Sequence, residues 1–158
     1  FLNTQLGNNN PYNQDNEIGW LDWSQLQLNR DIFRFFKHMI AFRKNHPSLS
    51  RSRFWREDIS WYGVGATVDL SSDSHSLAFC LHGASQGDDD IYVMINAYWE
   101  KLEFNVQEGT AQEWKKIVDT ALPSPDDFSD DGIPLEQTKY LLAPRSIVVL
   151  CRPQTETR

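Results

Sequence analysis

From residue 59 onward, the chain consists of short apolar runs separated by Gly, Pro, Ser and Asp, without the apolar spacing of a helix. In one run, Leu77, Phe79 and Leu81 alternate with smaller or more polar residues, as in a strand with one wetter face. The runs predicted as strands are residues 59–64, 66–70, 76–82, 91–97, 101–106, 114–119, 138–142 and 146–151. Because no helices separate them, this mainly β region is predicted to form an antiparallel β-sandwich with Greek-key connections. The acidic stretch 123–134 is predicted to be a solvated loop.

One long helix is predicted over residues 28–45, before the β region. Its apolar residues recur at intervals of three and four and form a stripe: Ile32, Phe35, Phe36, Met39 and Ile40. Asn29 is a candidate N-cap, and Ser24 with Gln27 offers a competing capping box. Pro47 ends the helix, because proline cannot continue the hydrogen-bond ladder. Residues 1–47 are therefore predicted to carry a loop and the helix, and residues 48–158 to form the β domain.

Residues 7–23, the amide loop, are rich in turn-forming and aromatic residues. Three consecutive amides, from Asn8 to Asn10, precede Pro11 and Tyr12, and an acidic and amide cluster then leads to two tryptophans. Asn, Gly and Pro favour turns, so this segment is predicted to be a loop. Amide side chains donate and accept hydrogen bonds at once, which suits hydroxyl-rich ligands. Flat rings offer faces for a pyranose, so the amide loop is predicted to bind sugar.

The residue order of the amide loop resembles that of bacterial glycogen debranching enzymes of the isoamylase type, in glycoside hydrolase family 13. The matching runs are Gly7-Asn8-Asn9-Asn10-Pro11-Tyr12-Asn13-Gln14-Asp15-Asn16-Glu17 and Trp20-Leu21-Asp22-Trp23. Later segments also resemble that family: Arg43-Lys44-Asn45-His46-Pro47, Asn96-Ala97, Asp119-Thr120 and residues 140–150. The resemblance therefore extends over nearly the whole chain.

This resemblance implies that the amide loop follows the eighth strand of a (β/α)8 barrel, beside the active site. The helix would be the last barrel helix, and the β region would be the C-terminal β-sandwich. The implied activity is hydrolysis of α-1,6-glucosidic branch linkages in glycogen and limit dextrin by a retaining double displacement, which needs two flanking carboxylates. The family's nucleophile, acid/base and third catalytic aspartate lie on the fourth, fifth and seventh barrel strands, which would precede Phe1. No catalytic residue is therefore expected in this chain, which alone should be inactive.

The candidate substrate-binding residues all lie on the amide loop: Asn9, Asn10, Tyr12, Asp15, Glu17 and Trp20. A structural role is the alternative for each of them. Asn side chains also hold turns, and Asp and Glu also accept backbone N–H bonds. Tyr12 would be either a sugar platform or a ring packed on the loop. None of the four histidines stands in a local signature with a nucleophile, so none is expected to be catalytic.

Two rival functions remain open on the sequence. A stand-alone carbohydrate-binding module would use the Trp-rich β region, with Trp55, Trp61 and Trp99 as a surface sugar site rather than as packing residues. Alternatively, the chain keeps the family but changes the activity, to that of a pullulanase, a trehalose-releasing hydrolase or a glucanotransferase. An upstream reading frame with βα repeats would favour the debranching enzyme over the stand-alone module.

Charge and composition limit which kinds of partner the chain can bind. A net charge of −7 repels phosphates, which disfavours nucleic acid and suits a neutral α-glucan. No run is long enough to span a bilayer, and a cytoplasmic location is implied by the family alone. No Cys/His spacing indicates zinc, so neither a metal nor another cofactor is expected. Cys80 and Cys151 are either free buried thiols or a bridge. Without its barrel, the helix would expose its apolar stripe, so self-association through that face is expected.

Overall fold

The computed structural model describes residues 2–52 and 57–154 of the 158-residue chain. The chain divides into two compact units, Phe1–Ile40 and Ala41–Arg158. The predicted role of Trp55 in a surface sugar site falls outside the described residues. The predicted domain boundary between residues 47 and 48 stays a prediction.

The first unit contains the amide loop and the start of the helical segment. A 3-10 turn, Pro11–Asn13, lies within the loop, and a short helix, α1, spans Gln25–Leu28. The long helix, α2, spans Arg30–Asn45 and continues into the second unit. Asn29 separates the two helices, and its carbonyl accepts the Phe33 N–H at 3.0 Å as the first hydrogen bond of α2. The single helix predicted from residue 28 therefore begins two residues later, after Asn29.

Much of the apolar stripe of α2 is accessible to solvent. Phe36 and Ile40 are exposed, whereas Phe35 and Met39 are half-buried. No helix in the described part of the chain is both long and apolar enough to cross a bilayer.

In the described residues of the second unit there are eight strands, all paired in antiparallel fashion. They are β1 (Ile59–Tyr62), β2 (Ser76–Leu81), β3 (Asp90–Asn96), β4 (Leu102–Asn105), β5 (Lys115–Asp119), β6 (Phe128–Pro134), β7 (Lys139–Leu142) and β8 (Ser146–Arg152). Six form one sheet in the order β1-β2-β3-β8-β5-β6, and β4 pairs with β7 in a second sheet. The chain crosses to the smaller sheet twice, and β8 then inserts between β3 and β5. The mainly β, antiparallel fold class is confirmed.

The hydrophobic core of this unit joins the two sheets. Tyr92 on β3 and Leu150 on β8 come from the larger sheet, and Phe104 on β4 and Leu142 on β7 come from the smaller one. Trp114, immediately before β5, is fully buried among them. Burying a large apolar side chain contributes about 1.5–3 kcal/mol relative to leaving it exposed. The alternation of apolar residues along the strands therefore places one face of each sheet in a common core.

The stretch 123–134 contains strand β6, so the prediction that it is a loop was wrong. Within the described residues, β6 is an edge strand that pairs only with β5, and an edge strand can keep a charged residue such as Asp131 in solvent. Gly132 has φ +69°, and a Cβ there would lie 2.7 Å from the Lys115 Cβ. Of the acidic residues that indicated a loop, Asp130 and Asp131 are thus exposed side chains of an edge strand, and Asp126 and Asp127 precede it.

The predicted strand over residues 66–70 is also wrong, because residues 66–67 lie in a bend and residues 68–70 have no regular secondary structure. The Gly63 N–H donates to the Gly65 carbonyl at 3.1 Å, and the carbonyl of Thr67 occupies the space that a Cβ on Gly63 would need. Leu70 is 90% exposed. The chain doubles back so tightly that residues 66–70 meet no neighbouring strand.

Cys80 and Cys151 are free, buried thiols on opposite faces of the larger sheet. In the strand register, Cys80 stands beside Tyr92, which stands beside Leu150, whereas Cys151 is aligned with Ile91. Successive side chains of a strand point to opposite faces, and the two cysteines are two strand spacings apart, about 9.6 Å. A disulfide needs Cα atoms within about 7 Å, so the bridge left open by the sequence is excluded.

Candidate functional site in the amide loop

The backbone of the amide loop is held by its own amide side chains. Asn8 Oδ1 accepts the Asn10 N–H at 2.9 Å, and Asn16 Oδ1 accepts the Ile18 N–H at 3.1 Å. Both are turns in which a side chain replaces a backbone acceptor two residues earlier. The turn-holding role therefore falls to Asn8 and Asn16, which lie on either side of the predicted sugar platform.

Asp15 and Trp20 are joined by a direct hydrogen bond. The indole Nε1–H donates to Asp15 Oδ1 at 2.7 Å, while the Trp20 side chain remains 57% exposed. At the other edge, Asn3 Nδ2–H donates to the Trp20 carbonyl at 3.0 Å, and Asn3 Oδ1 accepts the Asp22 N–H at 3.3 Å. Asp15 therefore orients an exposed aromatic ring rather than presenting a free carboxylate.

Near the end of the amide loop, Asp22 accepts hydrogen bonds from Ser24 and from Gln25, the first residue of α1. Its Oδ1 accepts the Ser24 hydroxyl at 2.6 Å and the Ser24 N–H at 3.0 Å, and its Oδ2 accepts Gln25 Nε2–H at 3.0 Å. These hydrogen bonds, led by the one from the Ser24 hydroxyl, lower the pKa of Asp22. Both carboxylate oxygens are engaged, so Asp22 is a structural acceptor.

Three of the predicted site residues present polar groups directly to solvent. Asn9, Tyr12 and Glu17 are exposed, Tyr12 at 87%. Within the described residues, no hydrogen bond engages the side chain of any of these three. An amide, a phenol and a carboxylate can all hydrogen-bond to sugar hydroxyls. Among the six predicted residues, only Asp15 and Trp20 are joined by a side-chain hydrogen bond in the part of the chain that the structure describes.

The β-sandwich contains a second polar cluster, which the sequence analysis did not find. The Arg152 guanidinium donates to Asp90 Oδ2 at 2.6 and 3.0 Å and lies 3.5 Å from Glu108 Oε2. The Tyr62 hydroxyl donates to Glu108 Oε1 at 2.8 Å, and Arg152 lies over the Trp114 ring, 4.7 Å from its centroid. Burial first, and Glu108 second, raise the pKa of Tyr62. These residues come from distant segments, so no local spacing could have indicated the cluster.

His82 lies beside this cluster but does not have the geometry of a catalytic triad. Its Nε2 is 3.0 Å from Ser60 Oγ and 3.4 Å from Glu108 Oε1. In a triad, one ring nitrogen meets the nucleophile and the other meets the carboxylate. Here both partners share one nitrogen, so Ser60 is not activated by a relay through the ring.

Two of the tryptophans predicted as sandwich sugar contacts are exposed. Trp99 is 60% exposed and stacks on Tyr98 with ring centroids 4.1 Å apart, and His75 approaches it edge-on at 5.8 Å. Trp61 is 52% exposed and lies beside Phe79, with ring centroids 5.4 Å apart. The β-sandwich therefore presents flat aromatic surfaces of its own.

Two groups of residues combine the side-chain types that hold a metal ion. One consists of His46, Asp89 and Cys151, and the other of Cys80, His82 and Glu108. In each group, the candidate ligand atoms lie within 4.8 Å of one another. Neither group shares a residue with the amide loop.

Comparison with known proteins matches the β-sandwich to one family and the whole chain to its members. The family model described as "Isoamylase, C-terminal" matches residues 61–151. The chloroplastic protein isoamylase 3 of Oryza sativa subsp. japonica is 36% identical over 153 residues, which cover 95% of this chain and 19% of that protein. An isoamylase of Flavobacterium sp is 34% identical over 176 residues, covering 94% of this chain and 22% of that protein. The resemblance inferred from the amide loop and the later segments is confirmed.

A further curated relative and a solved structure agree with these matches. The glycogen operon protein GlgX homolog of Mycobacterium tuberculosis (strain ATCC 25618 / H37Rv) is 30% identical over 174 residues, which cover 93% of this chain and 24% of that protein. The chain thus spans about a fifth of the length of the curated relatives it matches. A pullulanase from Bacillus acidopullulyticus has a TM-score of 0.70 at 23% identity, over 96% of this chain and 17% of that one, which shows a shared fold.

Proposed function

Because the chain belongs to the isoamylase C-terminal domain family, we propose that it is the C-terminal part of a glycogen debranching enzyme. That enzyme would hydrolyse α-1,6-glucosidic branch linkages in glycogen and limit dextrin, with retention of configuration. The observation that carries this function is the family match over residues 61–151. The catalytic carboxylates would come from a barrel encoded upstream, so this chain would supply substrate contacts and a β domain but not the bond-cleaving acids.

Within that enzyme, the amide loop would line the substrate side of the active site. Asn9, Tyr12 and Glu17 would contact glucan hydroxyls and ring faces, because their side chains are exposed and make no hydrogen bond within the described residues. Trp20 would add a second aromatic surface, held in orientation by Asp15 at 2.7 Å. Asn10, which is half-buried and directly precedes the 3-10 turn, would contribute a further amide to substrate binding.

Three further features complete this proposal. Residues 1–47 would be the last loop and helix of the catalytic barrel, and residues 48–158 would be the C-terminal domain. The parent enzyme would act in the cytoplasm, as the resemblance to bacterial debranching enzymes implies. The isolated chain would self-associate through the face of α2 that carries Phe36 and Ile40, since both are exposed.

The absence of catalysis in the isolated chain can be measured directly. The purified chain is incubated with a branched α-glucan, and newly formed reducing ends are counted against a buffer blank. No release above the blank is expected, because a glycosidase without its carboxylate pair loses most of its rate enhancement. Turnover comparable to that of an intact debranching enzyme would contradict the assignment as a non-catalytic part. An upstream reading frame without βα repeats would contradict it independently.

The role of the amide loop is tested in the enzyme that carries this chain. Tyr12→Ala is expected to raise KM for branched glucan about tenfold, which corresponds to about 1.4 kcal/mol. Tyr12→Phe keeps the ring and should stay close to the parent enzyme. Leu70→Ala, at a residue that is 90% exposed in the other unit, is the matched control. Equal KM values for Tyr12→Ala and Leu70→Ala would show that the ring of Tyr12 does not contact substrate.

A second candidate function is glucan binding by the β-sandwich itself, favoured by the exposed Trp99 ring beside the half-buried Tyr98. In native gels that contain soluble glucan, the chain would then migrate more slowly than in gels without it. Trp99→Ala should abolish this retardation, whereas Tyr12→Ala should not. Retardation that depends on Tyr12 instead would assign binding to the amide loop.

A further inference from the structure

A nitrogen, an oxygen and a sulfur ligand converge at one place in the second unit. His46 follows the end of α2, Asp89 directly precedes β3, and Cys151 lies on β8. The candidate ligand atoms of these three side chains lie within 4.8 Å of one another. Their positions in the sequence are far apart, which explains why the chain shows no zinc-like Cys/His spacing. The fold alone brings them together.

The imidazole of His46 is already oriented as metal-binding histidines usually are. Its Nδ1 is 2.7 Å from Asp88 Oδ1, and Asp88 is buried. Asp88 is itself fixed, because its Oδ2 accepts the Ser48 N–H at 2.9 Å and its Oδ1 accepts the Asp89 N–H at 2.8 Å. A carboxylate that holds the Nδ1 proton leaves the lone pair of Nε2 for a cation, the usual second-shell arrangement around a ligating histidine.

The electrostatic environment of Cys151 also favours a cation. Cys151 pairs with Ile91 on β3, and Ile91 directly follows the three carboxylates of Asp88, Asp89 and Asp90. The adjacent guanidinium of Arg152 is bound to Asp90 at 2.6 Å. Metal binding would place positive charge among these acidic groups and convert the thiol to a thiolate.

The other candidate group is less suited to a cation. In that group, Glu108 already accepts the Tyr62 hydroxyl at 2.8 Å and lies 3.5 Å from the Arg152 guanidinium. His82 Nε2 is 3.0 Å from Ser60 Oγ. A metal ion there would have to displace these partners and would stand close to a fixed positive charge. The cluster around Glu108 is therefore already neutralised.

We propose that His46, Asp89 and Cys151 form a zinc-binding site, with Asp88 as the positioning residue for His46. Zinc takes N, O and S ligands in tetrahedral geometry at about 2.0–2.3 Å, which requires ligand atoms roughly 3.5 Å apart. The ligand atoms lie within 4.8 Å of one another, and rotation of the half-buried Asp89 side chain would bring them closer while Asp88 holds His46 in place. A water molecule would complete the fourth position, and the ion would tie the end of α2 to β3 and β8.

The test uses the full chain and two probes, Zn²⁺ and Co²⁺ added alone. One Co²⁺ per chain should bind and produce a thiolate-to-cobalt charge-transfer band, which one equivalent of Zn²⁺ should abolish. Cys151→Ser should lose the band, and Cys80→Ser, at the other buried free thiol, should keep it. Asp88→Asn should weaken Co²⁺ binding about 10- to 100-fold without removing the band.

Each other outcome overturns the site. Loss of the band in Cys80→Ser with retention in Cys151→Ser would assign the metal to the group around Glu108. Binding weaker than about 100 μM, or a stoichiometry other than one ion per chain, would show that no built site exists. If circular dichroism shows that Cys151→Ser does not fold, Asp89→Asn is the second variant for this test. It should reduce Co²⁺ affinity at least tenfold, and unchanged affinity would remove Asp89 from the site. These measurements need no glucan, so they succeed or fail independently of the debranching function.

Discussion

Replacing Trp114 by Phe is expected to destabilise the β domain by about 3 kcal/mol, through three separate losses. The Trp114 Nε1–H donates to the Glu108 carbonyl at 2.6 Å, and its removal leaves this part-buried acceptor unpaired, at a cost of about 1–2 kcal/mol. The indole is completely buried, so the smaller ring leaves a cavity of roughly 40 Å³, worth about 1 kcal/mol. The weaker cation–π contact with Arg152, at 4.7 Å, adds about 0.5 kcal/mol.

The measurement is urea unfolding of the full chain, followed by far-ultraviolet circular dichroism so that the change of fluorophore does not matter. For a chain of 158 residues, a loss of 3 kcal/mol corresponds to a fall in Tm of about 6–12 °C. Trp99→Phe is the matched control, because the same chemical change is made at a side chain that is 60% exposed. It should change the free energy of unfolding by less than about 0.5 kcal/mol. Equal losses for the two variants would refute the account of Trp114 as the residue that joins the core to the Arg152 cluster.

Three further predictions concern the fold. Gly132→Ala should lower the free energy of unfolding by about 2 kcal/mol, because φ is +69° and the new Cβ would clash with Lys115 in β5. Thermal unfolding of the variant and the parent chain measures this loss. The pKa of Asp58 is lowered, and the largest cause is the hydrogen bond from Arg51 at 2.6 Å. The ionised Asp58 therefore stabilises the fold above the ordinary Asp pKa near 3.9, and this stabilisation is lost as the pH falls through the lower pKa of Asp58 in the folded state. Asp58→Asn should therefore lower Tm at pH 7, and below pH 4 the Tm values of the variant and the parent chain should lie closer together. Cys80 and Cys151 should both react with a thiol reagent after unfolding, and neither rapidly before it.

Matched controls make these results decisive. Gly65→Ala adds the same methyl group where nothing lies within 4 Å and φ is ordinary, so a loss equal to that of Gly132→Ala would contradict the steric reason. Asp126→Asn removes an exposed carboxylate outside the Arg51 pair, and an equal change in acid sensitivity would show that the pairing of Asp58 is irrelevant. Recovery of fewer than two reactive thiols from the unfolded chain would contradict the assignment of the two cysteines to opposite faces.

The sequence by itself determined the elements whose residues report their own surroundings. Alternation from Leu77 to Leu81 correctly indicated a strand, although the smaller Ala78 and Cys80 are fully buried. The spacing of apolar residues along α2 correctly indicated a helix. Turn-forming amides such as Asn8 and Asn16 hold their own backbone two residues on, so the amide loop could also be predicted. The family resemblance came from the same local run of residues.

Strand order and register decided the rest, because neither is written in local periodicity. The acidic residues of β6 indicated a loop, because the sequence does not show that β6 lies at the edge of the sheet. Residues 66–70 indicated a strand, because the sequence does not show that the chain reverses at Gly63. The contacts of Arg152 with Asp90 and Glu108, and the meeting of His46, Asp89 and Cys151, join residues that are 43 to 105 positions apart. Such contacts depend on which strands become neighbours, and only packing of the whole core selects that arrangement.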